Sequence, residues 1–254
     1  MPANHSPRNR SIEQIRFPTQ LNVKGEIALE GELFSALCSR EPYQGEIITV
    51  QDASGKAFRG RITELKNDRA CVLLFEEMMA SAESPFDLLL LQALPEKERM
   101  ELVIQKATEL GVSSICPFKS GHSISLEERE AGQPKAHRWQ QIAIKAAKQC
   151  RRASIPVVAP YCSFEQALDL ARPLELKVML WEKEQTSLAR LLRNMPPPKG
   201  IALMVGPEGG WDEKEVHQAW AEGFFSVSLG GRILRTETAA IAACAILQYE
   251  WGGL

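Results

Sequence analysis

From Phe86 to the C-terminus, short apolar runs alternate with amphipathic stretches, and this alternation constrains the fold more than any other feature of the chain. Apolar runs too short for helices, separated by segments of helical periodicity, build parallel sheets with crossover helices. Strands are expected at Phe86–Ala93, Val112–Phe118, Ile155–Ala159, Leu176–Trp181, Ile201–Val205 and Phe224–Leu229. In the first intervening helix Met100, Val103, Ile104, Ala107 and Leu110 share one face, and Gly111 is placed to cap its C-terminus. Further helices are expected from Lys135 to Arg152, after Ser163, near Leu188, after Asp212 and after Thr236. Two of these starts carry capping-box spacing, Ser163 with Gln166 and Asp212 with Glu215.

The earlier part of the chain reads differently. Between Gly45 and Met79, strands at Ile47–Gln51, Ala57–Leu65 and Cys71–Phe75 are separated by the turns Asp52-Ala-Ser-Gly55 and Asn67-Asp68, the pattern of a small, barrel-like β domain. A boundary near Ala82 divides the chain into domains 1–82 and 83–254. With 254 residues and 44% apolar content, both can hold cores. Pro196-Pro-Pro198 reads as a stiff loop.

Composition narrows the function. A net charge of −2 means that a nucleic-acid partner must be held by a local basic surface. The six cysteines form no C-x-x-C and the four histidines show no ligand spacing, so reduced thiols and no metal are expected. The polar N-terminus lacks the apolar core of a signal peptide, and the most apolar segment, Ala239–Leu247, is too short to span a bilayer. A cytoplasmic location with no membrane partner follows, and the Asn4-His-Ser sequon is expected to be silent.

Two glycine-rich loops stand out. Gly206-Pro-Glu-Gly-Gly210 follows an apolar strand and precedes a capped helix, at the carboxyl end of a strand, where open α/β sheets bind ligands. It is neither G-x-G-x-x-G nor a Walker A loop, which speaks against dinucleotides and nucleoside triphosphates. The second loop sets Gly230-Gly231 beside Arg232 and Arg235, a pairing suited to an anionic partner. Taken singly, the first is equally a tight strand-to-helix turn and the second a basic, solvated helix start; together they favour a ligand site.

Val205-Gly-Pro-Glu-Gly-Gly210 followed by Leu229-Gly-Gly-Arg-Ile-Leu-Arg-Thr-Glu-Thr-Ala239 closely resembles the ribosomal RNA small subunit methyltransferase E family of the SPOUT superfamily. The resemblance runs on through Gln92-Ala-Leu-Pro95, Met100–Val112, Pro117-Phe118, Arg138–Ala143 and Ala146–Arg152, nearly all of the second domain. It implies an α/β fold with a C-terminal trefoil knot, helices on both faces of a mainly parallel sheet, and a small N-terminal PUA-like β-barrel. It implies S-adenosylmethionine as cofactor, a homodimer that completes the active site, and methylation of N3 of a uridine in the decoding region of 16S ribosomal RNA within the small subunit. Carried onto this chain, the cofactor is expected at Leu180, Trp181 and Glu182, at Val205, Gly206, Pro207, Glu208 and Gly210, and at Ser228, Leu229, Gly230, Arg232, Ile233 and Leu234. A noncatalytic RNA-binding relative, or an enzyme acting on transfer RNA, are the other readings.

Methyl transfer to uridine N3 needs in-line positioning and help with the charge that develops as the nitrogen loses its proton. Arg235 stays protonated, so its expected role is electrostatic, towards a uracil carbonyl. Glu237 is a candidate proton acceptor, or else a partner of the helix dipole; Glu208 either faces the cofactor or holds its loop.

Between Lys135 and Arg152 lie six basic residues and no acidic one. Helical spacing groups Arg138, Lys145, Lys148 and Arg152 on one face, with Trp139, Ile142, Ala146 and Cys150 on another. With Arg151, this face is expected to bind RNA phosphate, or else to be a solvated surface. Arg16 resembles an early arginine of the family, and Arg40 is a second RNA candidate in a segment where the family's His-x-x-x-Val-Leu-Arg is not recognisable. Ser120-Gly-His122 also departs from the family's Ser-Glu-Arg, and His122 is expected at the surface.

Overall fold

The computed structural model describes residues 15–78, 83–95, 97–124, 138–193 and 195–254. The sequon at Asn4, Lys135 and the boundary at Ala82 lie outside them. The chain divides into two compact units: Ser11–Glu83 with Ile144–Ile155, and a second that holds Ser84–Ala143 and Pro156–Leu254. The division therefore differs from a single cut near residue 82, because the stretch from Ile144 groups with the β-rich unit.

That unit contains strands β1 (Ile15–Arg16), β2 (Glu26–Glu30), β3 (Ile47–Gln51), β4 (Ala57–Leu65) and β5 (Arg69–Glu77), with helix α1 (Gly31–Cys38) between β2 and β3. They form one sheet in the order β1-β3-β4-β5-β2, antiparallel except for β1 beside β3. Alternation drives it: in β2, Ile27 and Leu29 are buried while Glu26, Ala28 and Glu30 are exposed. Register shifts flank Gly60, where an added Cβ would collide with Val72, so the glycine lets β4 and β5 bend together. Ile15, Leu29, Leu37, Val50, Phe58, Ile62, Val72 and Leu74 fill the core.

The second unit is built on β6 (Asp87–Ala93), β7 (Ser114–Phe118), β8 (Val157–Val158), β9 (Leu176–Leu180), β10 (Gly200–Val205) and β11 (Phe225–Val227). The sheet order is β11-β9-β10-β6-β7-β8, and every pairing is parallel. Along the chain run α2 (Lys97–Glu109), α3 (Trp139–Cys150), which from Ile144 belongs to the β-rich unit, α4 (Phe164–Ala171), α5 (Leu188–Leu192) and α6 (Glu213–Ala221), with α7 (Thr236–Glu250) last. Both expected capping boxes form, at Ser163 and at Asp212, and Gly111 follows α2 with φ +84°.

Strand alternation splits the core. Leu89, Leu91, Cys116, Met179, Ala202 and Met204 face α4 and α6 through Phe164, Leu168, Val216 and Ala219. Leu88 and Leu90 point the other way, and α7 packs against α2 and β10. Among the described residues no helix is long and apolar enough to cross a membrane.

Candidate active site

Because the sheet is parallel, the loops that follow β9, β10 and β11 all emerge at its carboxyl edge. There they enclose a cavity of about 460 Å³, a volume suited to a small cofactor. Hydrogen bonds fix each loop to the next. Trp181 N–H donates to the Val227 carbonyl, Ser228 N–H donates to Thr186 O, and the Ser228 carbonyl accepts from Leu188 N–H, each at 2.9 Å. Trp211 Nε1 donates to Leu180 O at 2.7 Å, tying the end of the 206–211 loop to the end of β9.

Trp211 also explains the first glycine of that loop. A Cβ on Gly206 would lie 2.9 Å from Trp211 Cε2, so the indole occupies the space that any side chain would need. The indole stacks on Phe118 with centroids 6.2 Å apart and an interplanar angle of 9°, which anchors the loop to the core. Gly210 and Gly230 have φ of +74° and +108°, in the left-handed region. No atom of the described residues lies within 4 Å of an added Cβ at Gly230, so this wall is open backbone.

A third tie joins the loops to α7. Thr236 Oγ1 donates to Gly206 O at 2.6 Å and accepts from Gln92 Nε2 at 3.0 Å. Glu215, buried in the first turn of α6, accepts from Asp212 N–H, Ser120 Oγ and Gly121 N–H at 2.9–3.0 Å. This carboxylate seats residues 120–122 beside the glycine loop, where an added Cβ on Gly209 would stand 2.8 Å from His122 Cβ. His122 is exposed, and its backbone packs on the cavity loop.

Every residue expected at the cofactor, from Leu180 to Leu234, lines this one cavity, and Arg235 lines it too. Arg232, Ile233 and Arg235 are exposed, Ile233 to 87%. Glu237 is not among the lining residues; it is 9% exposed, with Oε2 4.0 Å from Arg99 Nε. Sequence reasoning missed Arg99, Gly209, Trp211, Val227, Thr236 and Ala239. Trp211 was findable, since it directly follows the glycine pair; Arg99 carried no local signal.

The expected basic face does not hold together. Arg138, Lys145 and Arg151 are exposed, as is Arg16 in β1. Arg152 lies beyond the end of α3, where Arg151 at φ +62° has already turned the chain. It is buried, pairs with Glu83 at 2.8 Å and bonds Ser154 Oγ at 3.1 Å. Lys148 Nζ donates to Glu41 O at 2.8 Å and to the Glu46 carboxylate at 3.2 Å, and sits over the Tyr43 ring. Arg40 is buried and donates to Ala153 O; burial lowers its guanidinium pKa to about 10, against the opposing pull of Glu83 and Glu46. Arg40, Lys148 and Arg152 thus hold their own unit together, because each cation finds an internal acceptor in place of solvent.

A family model described as an RNA methyltransferase domain matches residues 82–248. The parallel sheet and the three-loop cavity at its carboxyl edge are, with that match, an RNA methyltransferase domain. The ribosomal RNA small subunit methyltransferase E of Bacillus subtilis is 28% identical over 212 residues, covering 82% of this chain and 83% of that protein. Its counterpart from Mesomycoplasma hyopneumoniae is 33% identical over 171 residues, 66% of this chain and 72% of that one. A crystal structure of ribosomal RNA small subunit methyltransferase E from Neisseria gonorrhoeae bound to S-adenosyl methionine is 35% identical, with a TM-score of 0.64 over 94% of this chain and 98% of that chain. The chain belongs to the ribosomal RNA small subunit methyltransferase E family.

Proposed function

We propose that the chain transfers a methyl group from S-adenosylmethionine to N3 of a uridine in the decoding region of 16S ribosomal RNA, within the small ribosomal subunit and in the cytoplasm. The observation that carries this reading is the convergence of the loops at 180–182, 205–211 and 228–235 on one cavity. The cavity fits such a cofactor: glycine backbone leaves one wall open at Gly230, and the Glu182 carboxylate supplies negative charge for a cationic ligand, while that of Glu208 is paired with Arg99. The relative from Neisseria holds S-adenosyl methionine; the target nucleotide rests on the family motifs alone.

When bound, the cofactor supplies an electrophilic methyl group on a sulfonium. The protein's task is to hold the uridine in line with it and to stabilise the charge that builds on the base. Arg235 is the candidate donor to a uracil carbonyl oxygen, a role supported by its exposure at the cavity wall as the N-cap residue of α7. Glu237 lies two residues further on, in the first turn of α7, with a buried Oε2 that accepts no hydrogen bond among the described residues, and is the candidate acceptor for the N3 proton through water. Of the residues expected to meet RNA, Arg16, Arg138, Lys145 and Arg151 are exposed and so available to phosphate.

We also assign the finer architecture on this reading. After β11 at the sheet edge the chain passes the 181–187 loop at Ser228 and reaches Gly206 and Gln92 at Thr236, a path that supports a trefoil knot. The five-stranded unit supports a PUA-like barrel. Leu102 of α2 and Ile246 and Tyr249 of α7 expose apolar surface on helices that pack together, which supports a homodimer.

The test is to incubate purified protein and labelled cofactor with small subunits lacking the modification and, separately, with transfer RNA. Label on 16S ribosomal RNA is expected. Label confined to transfer RNA, or no label while cofactor binds, contradicts the proposal.

A further inference from the structure

Among the described residues that line the cavity, Arg99 is the one that comes from α2. It sits in the first turn of that helix, where the partial positive charge of the helix end disfavours a cation. Carboxylates from two distant elements offset this. Arg99 Nη1 donates to Glu208 Oε1 at 2.9 Å, and Arg99 Nε lies 4.0 Å from Glu237 Oε2. Glu208 belongs to the glycine loop after β10, whereas Glu237 is in the first turn of α7, two residues beyond Arg235.

Glu237 Oε2 is buried and accepts no hydrogen bond among the described residues, so the charge of this carboxylate leans on the cation opposite it. The planar guanidinium hydrogen-bonds Glu208 through one nitrogen and faces Glu237 at ion-pair distance with another, a geometry that an ammonium at the end of a lysine does not reproduce. One side chain thereby spans the loop that forms the cofactor wall and the helix start that carries Arg235.

We infer that Arg99 is a positioning residue for methyl transfer: by gripping Glu208 and Glu237 together it sets the spacing between the glycine loop and Arg235. The inference rests on the reading that the cavity takes S-adenosylmethionine and that Arg235 faces the base. Arg99 acts through the two carboxylates and need not touch the cofactor.

The experiment compares wild type, Arg99→Met, Arg99→Lys, Glu208→Gln and the double variant Arg99→Met/Glu208→Gln. Cofactor dissociation constants, single-turnover methylation of small subunits and melting temperatures are measured for each. Arg99→Met is expected to slow methyl transfer about tenfold or more while the cofactor constant changes by less than about threefold. Glu208→Gln slows it in the same sense, and the double variant is no slower than Arg99→Met within about twofold, because the two residues share one contact. Arg99→Lys recovers part of the rate. Effects that multiply in the double variant, or a loss confined to cofactor affinity, overturn the inference; the latter would put Arg99 on the cofactor itself. Should Arg99→Met not fold, Glu208→Gln and Arg99→Lys with their double variant form the same cycle. A wild-type protein that transfers no methyl group refutes the functional reading instead, and the Arg99–Glu208 coupling is then judged from the melting temperatures, where additive shifts overturn it.

Discussion

The Thr236 hydroxyl donates to the Gly206 carbonyl at 2.6 Å and accepts from Gln92 Nε2 at 3.0 Å, so the first residue of the last helix is fastened to the first residue of the glycine loop. Thr236→Val keeps the shape and removes both bonds, leaving a largely buried carbonyl and amide short of partners at a cost of about 1–3 kcal/mol. Cofactor affinity is expected to fall about tenfold, and Thr236→Ser to stay near wild type. Calorimetric titration of the cofactor into the two variants checks this; equal affinities would show that the tie does not shape the cavity.

Gly206→Ala tests the role of the indole. With the new methyl group 2.9 Å from Trp211 Cε2, either the loop or the ring must move, and the Trp211 bond to Leu180 O opposes the second. Cofactor binding should weaken at least about tenfold, with an altered tryptophan emission spectrum, whereas Gly231→Ala, with no atom within 4 Å of its added Cβ, should bind within about threefold of wild type.

Arg235→Ala should lower the rate of methyl transfer by about a hundredfold and leave the cofactor dissociation constant within about threefold, the signature of an interaction made mainly in the transition state. Single-turnover rates with equilibrium binding of the cofactor separate the two; normal transfer would remove Arg235 from the chemistry.

The cations of the β-rich unit divide into two kinds. Arg152→Ala leaves Glu83 without its buried partner and should destabilise the protein by about 3–5 kcal/mol, read as a fall in melting temperature. Lys145→Glu with Arg151→Glu, both exposed, should leave melting nearly unchanged and reduce the salt dependence of RNA binding by about 1.4–1.8 in the log–log slope. Unchanged RNA affinity in the second variant would move the footprint elsewhere.

Cys116 and Cys162 bring their sulfurs to 3.3 Å. The hydrogen bond between them raises the Cys116 thiol, with burial adding to it, and lowers Cys162. Burial alone pushes Cys244 up to about 12. Since the thiolate is the reactive form, iodoacetamide at rising pH should modify Cys162 before Cys116 and Cys244, as peptide mass mapping would show; equal labelling of all three in the folded protein would contradict the shared proton.

The cavity was legible in the sequence because backbone loops make it: Gly206, Gly210 and Gly230 mark where the chain turns tightly or lies open, and every residue placed there from the family motifs lines the cavity. The sheet was legible because its strands are buried on both faces and read as unbroken apolar runs, as in Gly200–Val205. What failed has a common cause. Helical periodicity groups Arg138, Lys145, Lys148 and Arg152, yet it says nothing of the acceptors that Glu46 and Glu83 bring from elsewhere in the chain. Arg99 was hidden for the same reason, since its partners lie 109 and 138 positions away and only folding joins them. Helix α1 was missed because it begins at Gly31, at φ +55°, with no capping side chain to announce it.

Digesting the RNA of small subunits methylated in vitro by this protein, and identifying the labelled nucleoside by chromatography and mass spectrometry, reads the target nucleotide itself. N3-methyluridine from 16S ribosomal RNA is expected, formed only with S-adenosylmethionine present and strongly reduced with Arg235→Ala. Label in any other nucleoside, or unmodified uridine throughout while the cofactor binds, would contradict it.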